Sequence, residues 1–160
     1  MILVIGYGNT LFADDGFGPA VIDLLMERLQ GNQSVEIISC RQLLPELVEQ
    51  IAKAETVIFV DANVRLLPAQ FEFSPLQVDK ECSPSQSGGT SAHAFSASSL
   101  LNTVEVIYGT HPCCWLCSVG PVELRLGVPM SEAVAGVIPL AVDAILNKAS
   151  LTELARAGGR

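Results

Sequence analysis

The chain has 160 residues and a mass of 17.0 kDa, which suits one domain spanning residues 1–160 around a single core rather than two. Nearly half of it (49%) is hydrophobic and only 16% is charged, a balance that excludes intrinsic disorder. The formal charge of −8 argues against nucleic acid or an anionic membrane as partner, since both bind basic surfaces. The opening segment, MILVIG, lacks a basic flank and runs at once into Gly-Tyr-Gly-Asn, so it reads as a buried strand rather than a signal peptide. No apolar run is expected to reach the roughly 20 residues that span a bilayer. Five cysteines, three of them in CCWLC, do not make a secreted disulfide framework and fit a reducing, cytoplasmic location.

In chain order, ILVIG is a strand, and GFGPAVIDLLMERLQ is a helix with Val21, Leu24, Leu25 and Leu29 at helical spacing. The pattern repeats. VEIISC is a strand, LLPELVEQIAKA a helix with Pro45 in its first turn, and TVIFVDA a fully apolar strand ending on Asp61. Continuous apolar strands alternating with helices predict an α/β fold with a mainly parallel sheet covered on both faces. Beyond Asp61, FEFSPL is a short edge strand and the Ser/Gly/Pro-rich stretch 79–91 a long loop. HAFSASSLLNTV is then a helix, VEVIYGT a strand, CCWLCSVG another strand, and SEAVAGVIPLAVDAILNKA a long closing helix that Pro139 kinks. The tail from 150 to 160 is expected to fray.

The loop GYGNTLFADDGFG admits three uses: cradling a dinucleotide phosphate, capping a helix, or presenting a carboxylate to a metal. A dinucleotide fingerprint G-x-G-x-x-G requires glycine where this chain has Leu11, and Asp14 and Asp15 put negative charge where a pyrophosphate would sit. A nucleotide-binding oxidoreductase is therefore the least favoured reading. One aspartate is accounted for as a helix cap, but not both. In open α/β sheets ligands gather at the carboxyl ends of strands, where Asp15 and Asp61 both fall. His93, between the long loop and the next helix, adds an imidazole. Two carboxylates and one imidazole suit a divalent first-row metal. His111 competes with His93 for that role.

The HPCCWLC segment offers a rival chemistry: Cys114-x-x-Cys117 as a redox pair, or His111 with the cysteines as a zinc site. On a strand, Cys114 and Cys117 point to opposite faces and the pair cannot close. Cys113, Trp115 and Cys117 then share one face as small or large apolar groups. A serine or cysteine peptidase is a weak reading, because no nucleophile elbow G-x-S-x-G occurs, although Ser91 and Ser96 flank His93.

Gly6-x-Gly8-Asn9-x-Leu11-x-x-Asp14-Asp15-Gly16-x-Gly18, then VIFVDA, then His93-x-x-Ser96 leading into Leu100-Leu101, together resemble the hydrogenase maturation endopeptidases. The resemblance continues through SVGPVELRLGVPMSEAVAGVIPLAV and covers nearly the whole chain. It implies a three-layer αβα, phosphorylase/hydrolase-like fold around a mixed sheet. It also implies an endopeptidase that removes a C-terminal extension from the large-subunit precursor of a nickel-iron hydrogenase after nickel insertion, with nickel in the precursor as the recognition signal. The implied metal-contacting and catalytic positions are Asp15, Asp61 and His93, which leaves Asp14 to cap the helix. The metal would be nickel supplied by the substrate, with the site empty or holding another divalent ion in isolation. The resemblance does not choose among the hydrogenases such proteases serve, a bidirectional Hox-type enzyme being one candidate. A non-catalytic metal- or partner-binding module is the alternative that keeps the same metal site.

Overall fold

A computed structural model describes residues 1–29, 35–76 and 95–158, the last eight of these by their backbone alone. The elements in chain order are β1 (Ile2–Tyr7), α1 (Phe17–Leu29), β2 (Val35–Cys40), α2 (Val48–Lys53), β3 (Thr56–Ala62), β4 (Phe71–Pro75), α3 (Ala97–Tyr108), β5 (Cys113–Val119), α4 (Glu132–Ala135) and α5 (Ile138–Gly158). Short 3₁₀ turns, Ala13–Gly16 and Pro45–Leu47, lead into α1 and α2. The strands form one sheet in the order β2-β1-β3-β5-β4. All pairings are parallel except β4 with β5, so the sheet is mixed, with β4 as an antiparallel edge.

Alternation along each strand builds two cores. Ile2, Val4, Ile58, Val60, Cys117 and Val119 face the layer of α1, α4 and α5, while Leu3, Ile5, Val57, Phe59 and Cys114 face the layer of α2 and α3. Burial on both faces explains why β1 and β3 read as unbroken apolar runs. The result is the three-layer arrangement expected. It also settles the cysteines: Cys114 and Cys117 lie in opposite cores, so they cannot pair with each other, and Cys113 is exposed at the start of β5.

Several elements depart from expectation. VEVIY does not form a strand but completes α3, which runs to Tyr108 and ends on Gly109 in the left-handed conformation. The β-branched residues misled the reading because the buried stripe, Leu100, Leu101 and Val104, stops before them and leaves Val106 and Ile107 on the helix's exposed side. A capping box between Ser96 and Ser99 starts the helix. The closing segment is not one kinked helix. It breaks between α4 and α5, and Pro139 occupies the first turn of α5, where its missing N–H costs nothing. The helix then continues to Gly158, through most of the tail expected to fray. The stretch Glu132–Ser150 has a mean hydropathy of 1.4 and is long and apolar enough to cross a membrane by length and composition, contrary to expectation. Here it packs Val134, Ala141, Val142 and Ile145 against the sheet.

Glycine permits the close approach of α1 to the sheet. A Cβ on Gly18 would overlap the carbonyl oxygens of Tyr7 and Val60, and one on Gly6 would meet the Gly18 carbonyl at 2.6 Å. These two glycines let α1 press against the β1/β3 junction, the task of the third glycine in a dinucleotide fingerprint, here moved to Gly18.

Candidate functional site

The chain reverses its direction of travel across the sheet at β1 and β3: β2 lies on one side of β1, and β3 on the other. The carboxyl ends of such a strand pair flank the crevice in which open α/β folds bind ligands. Asp15 follows β1, and Asp61 is the penultimate residue of β3. Register then determines Asp61's neighbours. Gly6 pairs with Val60, which sets Tyr7 level with Asp61, and Asp61 pairs directly with Ser118 on β5. All three side chains point to the α2/α3 side, because each continues that face of its strand.

Asp61 is consequently held at both oxygens. Tyr7 donates its hydroxyl to Oδ2 at 2.8 Å and Ser118 donates to Oδ1 at 2.6 Å. Burial raises the Asp61 pKa most strongly. The two hydroxyls oppose that shift, and the charge of Asp15 adds to it. Tyr7 responds in the same sense, its phenol pushed up by burial and then by Asp61. The Asp15 carboxylate is fixed differently: its Oδ2 accepts the Asn9 N–H at 2.7 Å, inside the loop that it closes. Gly8 makes this fold possible, with φ of +144° and a site where any Cβ would overlap the Asp15 carbonyl oxygen. Asp15 thus lies near enough to Asp61 for its charge to be felt there. His93 lies outside the described residues, as does the 79–91 loop, while α3, just beyond, lies over the same face as Asp61.

Asp14 does something other than cap its helix. Its carboxylate is fully buried and reaches across to the segment between β5 and α4. Oδ2 accepts the N–H groups of Val122 and Glu123, both at 2.8 Å, and the Ser131 hydroxyl at 2.9 Å; Oδ1 accepts the Ser131 N–H at 2.7 Å. Burial alone raises its pKa, but the backbone donors, Ser131's first, outweigh that and lower it. The turn it occupies has no side-chain cap at all. The two aspartates therefore divide their work: Asp14 ties two loops together and Asp15 faces the crevice.

His111 is excluded as the partner of Asp61. It precedes β5, at the sheet edge opposite Asp61, and a seven-residue strand separates the two edges by roughly 20 Å. It is exposed, with Nδ1 3.9 Å from Glu105. Cys114 is buried in the α2/α3 core near the start of β5, its thiol pushed up to about 12 by burial and then by Cys113. Among the described residues no group of three His, Cys, Asp or Glu side chains is placed to hold a metal ion. Beside the Asp15 loop, a cleft of about 350 Å³ runs from Gly8, Asn9 and Leu11 to Ser39, Cys40 and Arg41 at the end of β2. Sequence reading missed Tyr7 and Ser118. Their signal was the register: each stands at the same level of an apolar strand as Asp61.

Residues 19–148 match the family model for hydrogenase maturation proteases. The chain belongs to that family. The matched span includes Asp61 and His93 and begins four residues after Asp15. The hydrogenase expression/formation protein HoxM of Azotobacter vinelandii is 36% identical over 61 residues, 38% of this chain and 30% of that protein. The matched stretch is thus under a third of the length of that curated relative. Among solved structures, the hydrogenase maturating endopeptidase HybD from E. coli superposes with a TM-score of 0.77 at 23% identity, over 94% of this chain and 93% of that one. The hydrogenase 2 maturation peptidase from Thaumarchaeota archaeon SCGC_AB-539-E09 does so with a TM-score of 0.65 at 29% identity, over 92% and 96%.

Proposed function

We propose that this hydrogenase maturation protease is an endopeptidase that removes the C-terminal extension of a nickel-iron hydrogenase large-subunit precursor after nickel insertion. The nickel held in the precursor is its recognition signal and Asp15, Asp61 and His93 are the groups that meet it. The observation that carries the reading is Asp61: a half-buried carboxylate, oriented at both oxygens by hydroxyl donors and raised in pKa by desolvation and the neighbouring Asp15 charge. A partly desolvated acid in that state gains from an approaching cation, and hard oxygen donors beside an imidazole are a suitable set for a divalent first-row metal.

In this reading Tyr7 and Ser118 keep the Asp61 oxygens from rotating, and the Asn9 N–H does the same for Asp15, so the donors are set before the substrate arrives. When bound, nickel supplies an anchor for the precursor's C-terminal region and a Lewis acid for the scissile carbonyl or an attacking water. The protein is proposed to act in the cytoplasm. The metal is cargo brought by the substrate, so the isolated protein needs no resident ion.

The experiment compares nickel-loaded with nickel-free precursor, each incubated with the purified protein and read by intact mass, alongside Asp15→Asn, Asp61→Asn and His93→Ala. Loss of a C-terminal peptide from the loaded precursor alone, abolished in the three variants, supports the proposal. Cleavage that ignores nickel, or that survives all three substitutions, refutes it. Binding of the precursor without any cleavage would instead identify a non-catalytic module.

A further inference from the structure

The segment 120–131, between β5 and α4, has no regular secondary structure, yet its side chains alternate like a strand: Val122, Leu124 and Leu126 are apolar, Glu123 and Arg125 charged. Arg125 is exposed, as a surface charge should be, but the three apolar side chains are exposed with it. Val122 is 52% exposed, Leu124 42% and Leu126 64%. Glu123, by contrast, is turned back on its own segment, accepting the backbone N–H groups of Leu124 and Arg125 through Oε1 and the Arg125 guanidinium through Oε2 at 2.7 and 2.8 Å. The charged pair satisfies itself, and the leucines face solvent.

The backbone is committed as well. The N–H groups of Val122, Glu123 and Ser131 go to Asp14, those of Leu124 and Arg125 to Glu123, and that of Gly127 to the Leu11 carbonyl at 2.8 Å. Such a segment has little backbone to lend to an added strand, so what it offers a partner is a rigid row of apolar side chains. That row is continuous with the candidate site. Asp14 adjoins Asp15, Leu11 belongs to the loop that Asp15 closes, and the Met130 methyl stands 3.7 Å from the position of a Cβ on Gly16.

We propose that Val122, Leu124 and Leu126 form a preformed docking edge for the large-subunit precursor, gripping an apolar surface of it beside the bond to be cut, with Asp14 fixing that edge to the site. This rests on the endopeptidase reading for the partner's identity. It adds that recognition extends beyond nickel to side-chain contacts on a protein surface. An apolar row packed against a partner supplies affinity through burial, while the Asp15/Asp61 crevice supplies the chemistry.

The test uses the full chain, the nickel-loaded precursor and two measurements, association by surface-immobilised precursor and cleavage by intact mass. The variants are Leu124→Asp with Leu126→Asp together, Leu126→Asp alone, and a control with Val106→Asp and Ile107→Asp, exposed apolar residues in the last turn of α3. Association weakened by about tenfold or more in the double variant, less in the single one and not in the control, with KM raised and kcat kept, supports the docking edge. Equal association in all four proteins, or none by the wild-type chain, overturns it. Wild-type association without cleavage would sink the endopeptidase reading while the variants still decide the docking edge.

Discussion

Removal of the Asp14 carboxylate is the most informative single perturbation of this fold. Asp14→Ala strands three backbone N–H groups and the Ser131 hydroxyl, all of which now donate to one buried carboxylate. The hydroxyl can rotate toward solvent, so the cost lies with the three amides. At ~1–1.5 kcal/mol each for a buried donor left unpaired, the loss comes to about 3–5 kcal/mol, a large part of an ordinary domain's stability. For a chain of this size that is a fall in Tm on the order of 10 °C. Asp14→Asn keeps one acceptor and should lose less, about 2 kcal/mol, because its amide NH₂ must face an N–H donor. Urea unfolding followed by circular dichroism measures both. The pH dependence carries the sign. Burial raises the Asp14 pKa and the backbone donors lower it further than that, so the folded value lies below the unfolded one. Its stabilisation is complete above the unfolded value of about 4 and fades as pH falls through the folded value. The wild-type chain should therefore lose stability more steeply below pH ~4 than Asp14→Asn does. A loss under ~1 kcal/mol for Asp14→Ala, or parallel acid limbs for both proteins, would show that the carboxylate does not hold the two loops together.

Other consequences follow from the same geometry. Tyr7→Phe removes one of the two hydroxyl donors to Asp61 and should slow cleavage of the nickel-loaded precursor roughly tenfold by intact mass, with the fold unchanged; a rate within twofold of wild type would count against Tyr7 as the group that orients Asp61. Gly18→Ala drives a methyl into the Tyr7 and Val60 carbonyls and should cost on the order of 3 kcal/mol or more, visible as a lowered thermal midpoint; a melt indistinguishable from wild type would contradict the helix-to-sheet contact. Brief treatment of the native protein with a thiol reagent, read by peptide mass mapping, should label Cys113 ahead of Cys114 and Cys117, because burial raises both of the latter thiols and the first is exposed. Oxidation should yield no Cys114–Cys117 disulfide, and recovery of one would show that β5 does not hold its place in the sheet.

The α/β architecture was legible because its signal is the coarsest one available: unbroken apolar runs followed by helical periodicity, set by burial on both faces of the sheet. Asp15 and Asp61 were legible for a related reason, since each terminates or follows such a run. Tyr7 and Ser118 were not, because a hydroxyl becomes a carboxylate's partner through strand register, and register depends on pairing between segments more than fifty residues apart. Asp14 was misjudged as a helix cap because its local context is that of a cap, while its actual donors lie over a hundred residues away. The last turns of α3 failed for the opposite reason. A run of β-branched residues carries a strand preference that only the capping box upstream and the glycine downstream override.

Neighbouring aspartates of identical chemistry have acquired different jobs through the geometry of one turn. Asp14 and Asp15 follow each other in the 3₁₀ turn before α1, so their side chains diverge, one into the protein and one toward the crevice. The inward carboxylate has enough donors to remain charged while buried, and its charge costs the fold little because those donors belong to a segment that would otherwise be free. The outward one can then lie near Asp61, whose pKa is raised by desolvation and by the Asp15 charge. The GYGNTLFADDGFG loop is thus a two-sided joint: glycines bring it close to the sheet, Asp14 locks it to the segment after β5, and Asp15 is left facing Asp61. A substitution at Asp14 should accordingly disturb Asp15 without touching it, and a substitution at Asp15 should leave the joint intact. Comparing the unfolding free energies of Asp14→Asn and Asp15→Asn distinguishes the two roles: a loss of about 2 kcal/mol for the first and under ~1 kcal/mol for the second is the expected result, and equal losses would mean the division of labour does not exist.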